Sequence, residues 1–283
     1  MFHETPEYLS PVSKPTPTPA AVAKKLPVNP EAGLAETVRN KLEGALGTYG
    51  IAVQNPETGE RYLYNEHTVF SAGSLYKLWV MAEVYEKISA GNLREEDILS
   101  KDVEVLNTKF NIASDAAELT EGTIDLSVKD ALNKMITLSD NYAALLLTER
   151  IGLSSVASFL KKYGLAESTV GTRGGPPTVT ASDSVLFFEK LYKGQLTGPG
   201  QTTKMLTLLK QQKLNNKIPL NIPDDIMIAH KTGEIDDNTH DAGIVYTNKG
   251  NYIIAVLSKS DDPALAEGRI ADISEAVFNY FQK

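Results

Sequence analysis

"FSAGSLYKLWVM", residues 70–81, sets a serine before a strongly apolar stretch and a lysine three places after it. In a helix, positions i and i+3 are neighbours on one face, so Ser74 and Lys77 project together. A lysine on an apolar helix face loses hydration, and something nearby has to replace it. Two readings stand at this point: an ordinary surface lysine on an amphipathic helix, or a nucleophile with its base. Spacing does not choose between them, because a second Ser-x-x-Lys, Ser158 to Lys161, lies inside an unexceptional amphipathic pattern.

Outward from this stretch the chain alternates in type. "PEAGLAETVRNKLEGALG" before it has helical spacing, and "YGIAVQNPETGERYLYNE" reads as two short strands joined by a turn at "NPETG". The helix begun at Ser74 runs to about Ala90. Residues 126–163 read as helical, with breaks near "LSDN" and "GLSS". "TASDSVLFFEKLYKG" and "GQTTKMLTLLKQQK" add two amphipathic helices. Three strand-like runs follow, "IMIAHKTG", "AGIVYTN" and "YIIAVLSK", with "NKGN" turning between the last two. "LAEGRIADISEAVFNYFQK" closes the chain as a helix. Strands split between the two ends predict an α+β fold: a five-stranded antiparallel sheet assembled from both ends, flanked by helices, plus an all-helical subdomain between them.

Residues 1–30 hold seven of the fourteen prolines and read as an extended tail or linker, leaving residues 31–283 as one domain. Apolar residues make up 42% and charged residues 23%, the balance of a chain that buries a core. With 28 basic and 36 acidic residues the net charge is −8, which argues against nucleic acid or an anionic membrane as partner. There is no cysteine, so thiol catalysis and disulfides are excluded, and four histidines make a metal site improbable; no metal and no cofactor is expected. No apolar run is long enough to span a bilayer, and no signal peptide is visible.

Two further motifs join the first. "LSDN" contains Ser139, Asp140 and Asn141; its plain reading is a helix N-cap, although three such residues are more polar than a cap requires. "HKTG" places Lys231, Thr232 and Gly233 at a strand end, where a lysine beside a glycine is often edge protection. Ser-x-x-Lys, Ser-Asp-Asn and Lys-Thr-Gly, in this order, are the three active-site motifs of penicillin-recognising serine enzymes. From about Glu31 to its end the chain resembles class A β-lactamases and the related penicillin-binding proteins.

That resemblance implies roles. Ser74 would be the nucleophile and Lys77 its base, provided burial and cationic neighbours such as Lys231 lower its pKa. Ser139 would relay a proton to the leaving nitrogen, and Asn141 would bind the substrate's amide side chain. Lys231 and Thr232 would receive the substrate carboxylate, and the N–H groups of Ser74 and Glu234 would form the oxyanion hole. Gly233 would leave room for substrate against its strand. His240, nine residues after Lys231, stands where the family often has a carboxylate-holding arginine; otherwise it is a strand-edge histidine. His230 would pack beside the site, and Phe110 would either wall the cleft or sit in the core.

One family feature is missing. Class A β-lactamases carry a glutamate in a long loop, in a pattern like E-x-x-L-N, that activates the deacylating water. The stretch "YGLAESTVGTRGGPPTVTASD" has no such pattern and is shorter, and its only glutamate, Glu167, comes close after the preceding helix. The expectation is therefore a Ser74 acyl-enzyme with β-lactams that hydrolyses slowly. The alternatives are a D-Ala-D-Ala carboxypeptidase or transpeptidase, a β-lactam sensor that stays acylated and, more distantly, a serine-dependent glutaminase. A monomer acting outside the cytoplasm is expected, exported or tethered through a segment upstream of the tail.

Overall fold

The computed structural model describes residues 33–172 and 174–283, so the proline-rich stretch and the reading of it as a tail lie outside the described residues. Helix α1 (Leu34–Leu42) is followed by the hairpin of β1 (Thr48–Gln54) and β2 (Arg61–Tyr64). Asn55 holds its turn: the Oδ1 atom accepts the N–H groups of Glu57 at 2.9 Å and Thr58 at 3.0 Å. Strand β3 (Phe70–Ser71) leads into a 3-10 turn, Gly73–Tyr76, and α2 (Lys77–Ser89). Then come β4 (Ile98–Asp102), α3 (Val103–Lys109), β5 (Thr123–Ser127), α4 (Val128–Thr137), α5 (Asn141–Ile151) and α6 (Leu153–Lys162). Strand β6 (Thr178–Val179) precedes α7 (Ala181–Tyr192) and α8 (Pro199–Leu209). The strands β7 (Ile228–Ile235), β8 (Asn238–Val245) and β9 (Tyr252–Lys259) and helix α9 (Pro263–Phe281) complete the chain.

The main sheet is antiparallel with the order β2-β1-β9-β8-β7, so the two early strands pair with the last strand of the chain and close one sheet from both ends. Strands β7, β8 and β9 are buried along most of their length on both faces, and β9 reads as a nearly continuous apolar run. One face carries Ile51, Val53, Ile254 and Val256 against Val38 of α1 and Ile270, Ile273 and Val277 of α9. The opposite face is lined by small residues in register: Ala52 pairs with Ala255, Ala255 with Ala242, and Ala242 with Lys231. This alanine row lets Phe187 and Phe188 of α7 come close to the sheet, and it belongs to the core shared with the helical lobe. Cross-strand partners point to the same face. Lys231 therefore faces the helices and His230 the other side.

The sequence reading placed the five-stranded sheet and every helix except α3, and passed over the short strands. Strands β4 and β5 form a separate hairpin, and β3 pairs with β6 through only Phe70–Val179 and Ser71–Thr178. A two-residue strand has no periodicity to detect. The helix expected from Ser74 also begins later: Ser74 lies in the 3-10 turn, and α2 starts at Lys77.

Candidate active site

Helix α2 is buried all round from Lys77 to Tyr85, as an apolar sequence without a polar face requires. It therefore carries Lys77 into the interior, where the side chain is 0% exposed. The lost hydration is replaced by Ser139 O at 2.6 Å and Asn141 Oδ1 at 2.7 Å, with Ser139 Oγ at 3.4 Å. Burial lowers the Lys77 pKa to about 7, with the carboxylates of Asp140 and Glu118 acting against it. A sizeable fraction of Lys77 is thus a free amine at neutral pH and able to accept a proton. Burial likewise holds Lys231 well below the ordinary lysine range, and repulsion from the neighbouring Lys77 ammonium lowers it further.

In "LSDN" the cap and the contacts with the lysines fall to different residues. Asp140 is the N-cap of α5, its Oδ1 accepting the Ala143 N–H at 2.8 Å. Ser139, at the junction with α4, adopts φ +59°, a backbone region that non-glycine residues seldom occupy and that often marks a functional position. That backbone turns both oxygens of Ser139 toward the lysines. Asn141 is oriented by its partners: Oδ1 accepts from Lys77, and Nδ2 donates to Glu118 Oε1 at 2.5 Å.

From the sheet side, Lys231 is also 0% exposed. Its Nζ donates to Ser139 Oγ and to Thr232 O, each at 2.9 Å. One hydroxyl is thus shared by two amines from different chain segments. Beside it, the turn bearing Ser74 presses onto the edge strand β7. A β-carbon on Gly73 would stand 2.6 Å from Glu234 N, and one on Gly233 would stand 2.7 Å from Ala72 O. The space that Gly233 was expected to leave for substrate is taken by Ala72 and Leu75 of this turn, which corrects that expectation. The same contact brings the backbone at Ser74 and Glu234 together. Ser74 and Glu234 then open onto a cleft of about 140 Å³, with Asn141, Tyr142, Glu118, Pro176 and Pro177 among its lining.

His240 does not belong to the cleft. It is 0% exposed, its Nδ1 accepts the Ser258 N–H at 3.2 Å, and its Nε2–H donates to Ser71 O at 2.8 Å. The ring meets Phe70 edge-on, and burial pulls the pKa down to about 4, so the imidazole is neutral. With both nitrogens bonded to backbone, it has no donor for a carboxylate; it is a structural strand histidine. His230 is likewise buried, bonded to Asp241 at 3.0 Å and Asn215 at 3.1 Å on the far face of β7. Phe110 is wholly buried in the core. Glu167 turns away, binding His67 at 2.8 Å and accepting from Thr180 at 3.0 Å. The strand pair at Thr169 and Thr178 closes the short loop, which gives the cleft Pro176 and Pro177 and no carboxylate among the described residues.

Two residues of the site carry no motif. Lys217, in "NNKIPL", is 0% exposed and ion-paired to Glu234 and, at 3.6 Å, to Glu267. Glu118, in "DAAELTEG", reads as part of an acidic surface loop. Their partners lie far away in sequence, so no local pattern announces either.

Residues 33–281 match the model of the beta-lactamase enzyme family. The chain is 23% identical over 250 residues to a beta-lactamase of Bacteroides uniformis, covering 80% of this chain and 83% of that one. Its fold superposes on the beta-lactamase from Sphaerobacter thermophilus with a TM-score of 0.77 at 25% identity, over 89% of this chain and 97% of that one. PBP-A, 22% identical, gives a TM-score of 0.79 over 91% of this chain and 99% of that one, a likeness of fold.

Proposed function

Because the chain belongs to the beta-lactamase enzyme family, we propose that it is a serine hydrolase that forms a Ser74 acyl-enzyme with β-lactams and releases it slowly. The observation that carries this reading is the convergence of Lys77 and Lys231 on Ser139 Oγ beside Ser74. Neutral Lys77 takes the Ser74 proton as Oγ attacks the carbonyl carbon. The N–H groups of Ser74 and Glu234 hold the oxyanion, a contribution worth about 10² to 10³ in rate for each donor. Ser139 passes a proton to the leaving nitrogen, replenished through the lysines on either side. Asn141 receives the acyl-side amide, and Lys231 with Thr232 receives the carboxylate.

Deacylation needs a base near the ester carbonyl, and the cleft gets none from the loop that supplies it elsewhere in the family. Losing such a base costs about 10² to 10⁴ in rate. The same gap favours a second reading, a D,D-peptidase acting on D-Ala-D-Ala peptides. Either substrate places the protein outside the bacterial cytoplasm.

Intact mass spectrometry after incubation with benzylpenicillin should show one adduct, lost in Ser74→Ala and kept in Ser158→Ala. Pre-steady-state nitrocefin kinetics should show a burst of one equivalent followed by slow turnover. Label retained in Ser74→Ala would overturn the nucleophile; fast linear turnover with no burst would overturn slow release. Release of D-Ala from a model peptide tests the second reading.

A further inference from the structure

Among the described residues lining the cleft, the charged ones are Glu118 and Glu234. Lys77, Lys217 and Lys231 lie beneath its surface, at 0% exposure. Of these described groups, a substrate entering meets the carboxylates before the ammonium groups. The two glutamates are not equivalent. Glu234 is held by the buried ammonium of Lys217, which offsets its charge. Glu118 is exposed, and its hydrogen bond comes from a neutral amide, Asn141 Nδ2, at 2.5 Å. Among the described residues no cation contacts it directly; the nearest influence is the buried Lys77 ammonium, which feels the Glu118 carboxylate through space. The nearby Tyr142 hydroxyl is already engaged with Leu119 O at 2.7 Å and Asn107 Oδ1 at 2.9 Å.

We propose that Glu118 is a specificity-determining residue that makes the Asn141 end of the cleft select substrates with an ammonium group beside the acyl amide. This rests on the hydrolase reading above, in which Asn141 receives that amide, so a group attached on the acyl side lies next to the Glu118 carboxylate. The substrates singled out are aminopenicillins among β-lactams and, among peptides, those with a free amine on the acyl side. An exposed carboxylate–ammonium contact of this kind is worth about 1.5- to fivefold in rate.

Benzylpenicillin and ampicillin differ only by one α-amine, so their relative rates of Ser74 acylation isolate the effect. Rates are to be measured by mass spectrometry for the wild type and for Glu118→Gln, at low and high salt. Glutamine keeps an acceptor for Asn141 and removes only the charge. The ampicillin-to-benzylpenicillin ratio should fall about 1.5- to fivefold in Glu118→Gln and partway in high salt. Intrinsic reactivity differences, and any effect of the lost charge on Lys77, act equally on both comparisons and cancel. A ratio unchanged by the substitution, including a proportional fall for both compounds, would overturn the proposal and leave Glu118 as a support for Asn141. If neither compound acylates the wild type, the hydrolase reading itself fails and this proposal falls with it.

Discussion

Replacing Gly73 by alanine tests whether the contact between the nucleophile turn and β7 makes the site. Gly73 has φ +48°, and an added β-carbon would stand 2.6 Å from Glu234 N and 2.9 Å from Glu234 C and O. These are backbone atoms and cannot swing aside as a side-chain tip can. The left-handed backbone costs an L-residue about 1–2 kcal/mol, and overpacking adds about 1–3 kcal/mol. The stiffer unfolded chain returns about 0.4–1 kcal/mol. The net loss is roughly 2–4 kcal/mol, a fall in Tm of about 5–15 °C for a domain of this size. The larger effect should be chemical. Relief of the overlap moves the backbone at Ser74 away from Glu234, and a lost oxyanion donor lowers the acylation rate by about 10² to 10³. Gly44 is the control, with φ +71° and nothing within 4 Å of an added β-carbon; Gly44→Ala pays the strain without the collision. Thermal melts and the rate of benzylpenicillin adduct formation should be read on both variants. Gly73→Ala acylating within about threefold of the wild type would refute the reasoning.

Two further outcomes follow from the buried titratable groups. With the Lys77 pKa at about 7 and the free amine as the reactive form, acylation should rise with pH through about 7 and then level. A rate still climbing toward pH 10 would mean that burial does not set this base. His240, with its folded pKa lowered to about 4, stabilises the fold fully above its unfolded value of about 6.5. That stability, about 3 kcal/mol, is lost as pH falls from 6.5 to 4. The Tm of His240→Asn should decline less over that range, and its benzylpenicillin concentration dependence should shift by no more than about twofold. A large shift at unchanged Tm would return His240 to the carboxylate site.

What the sequence disclosed is tied to what kind of information each element carries. The three motifs bring reactive side chains to fixed places on strong elements, so Ser74, Lys77, Ser139, Asn141 and Lys231 could be named before any coordinates. The apolar stretches in "IMIA", "AGIV" and "YIIAVL" disclosed a buried sheet. His240 stayed open between the carboxylate site and the strand because position along a strand does not say whether a ring nitrogen meets solvent or backbone; Ser71 O and Ser258 N–H decide that, and they lie 169 and 18 residues away. Lys217 and Glu118 stayed hidden for the same reason. Ser139 hid its left-handed backbone, since nothing in "LSDN" distinguishes the residue that caps from the residue that bends.

Pairing β1 with β9 delays completion of the candidate site until synthesis is nearly over. Thr48 meets Lys259 across that ladder, and β7 must be seated beside β8 before Lys231 can reach Ser139. A nascent chain that has emerged only as far as α8 already holds Ser74, Lys77, Ser139 and Asn141, yet no edge strand stands against the nucleophile turn. Such long-range pairings are slow to form. On the proposed Ser74 acyl-enzyme, a fluorescent penicillin applied to chains leaving the ribosome would mark only those that have closed their sheet, a covalent clock for the last step of folding.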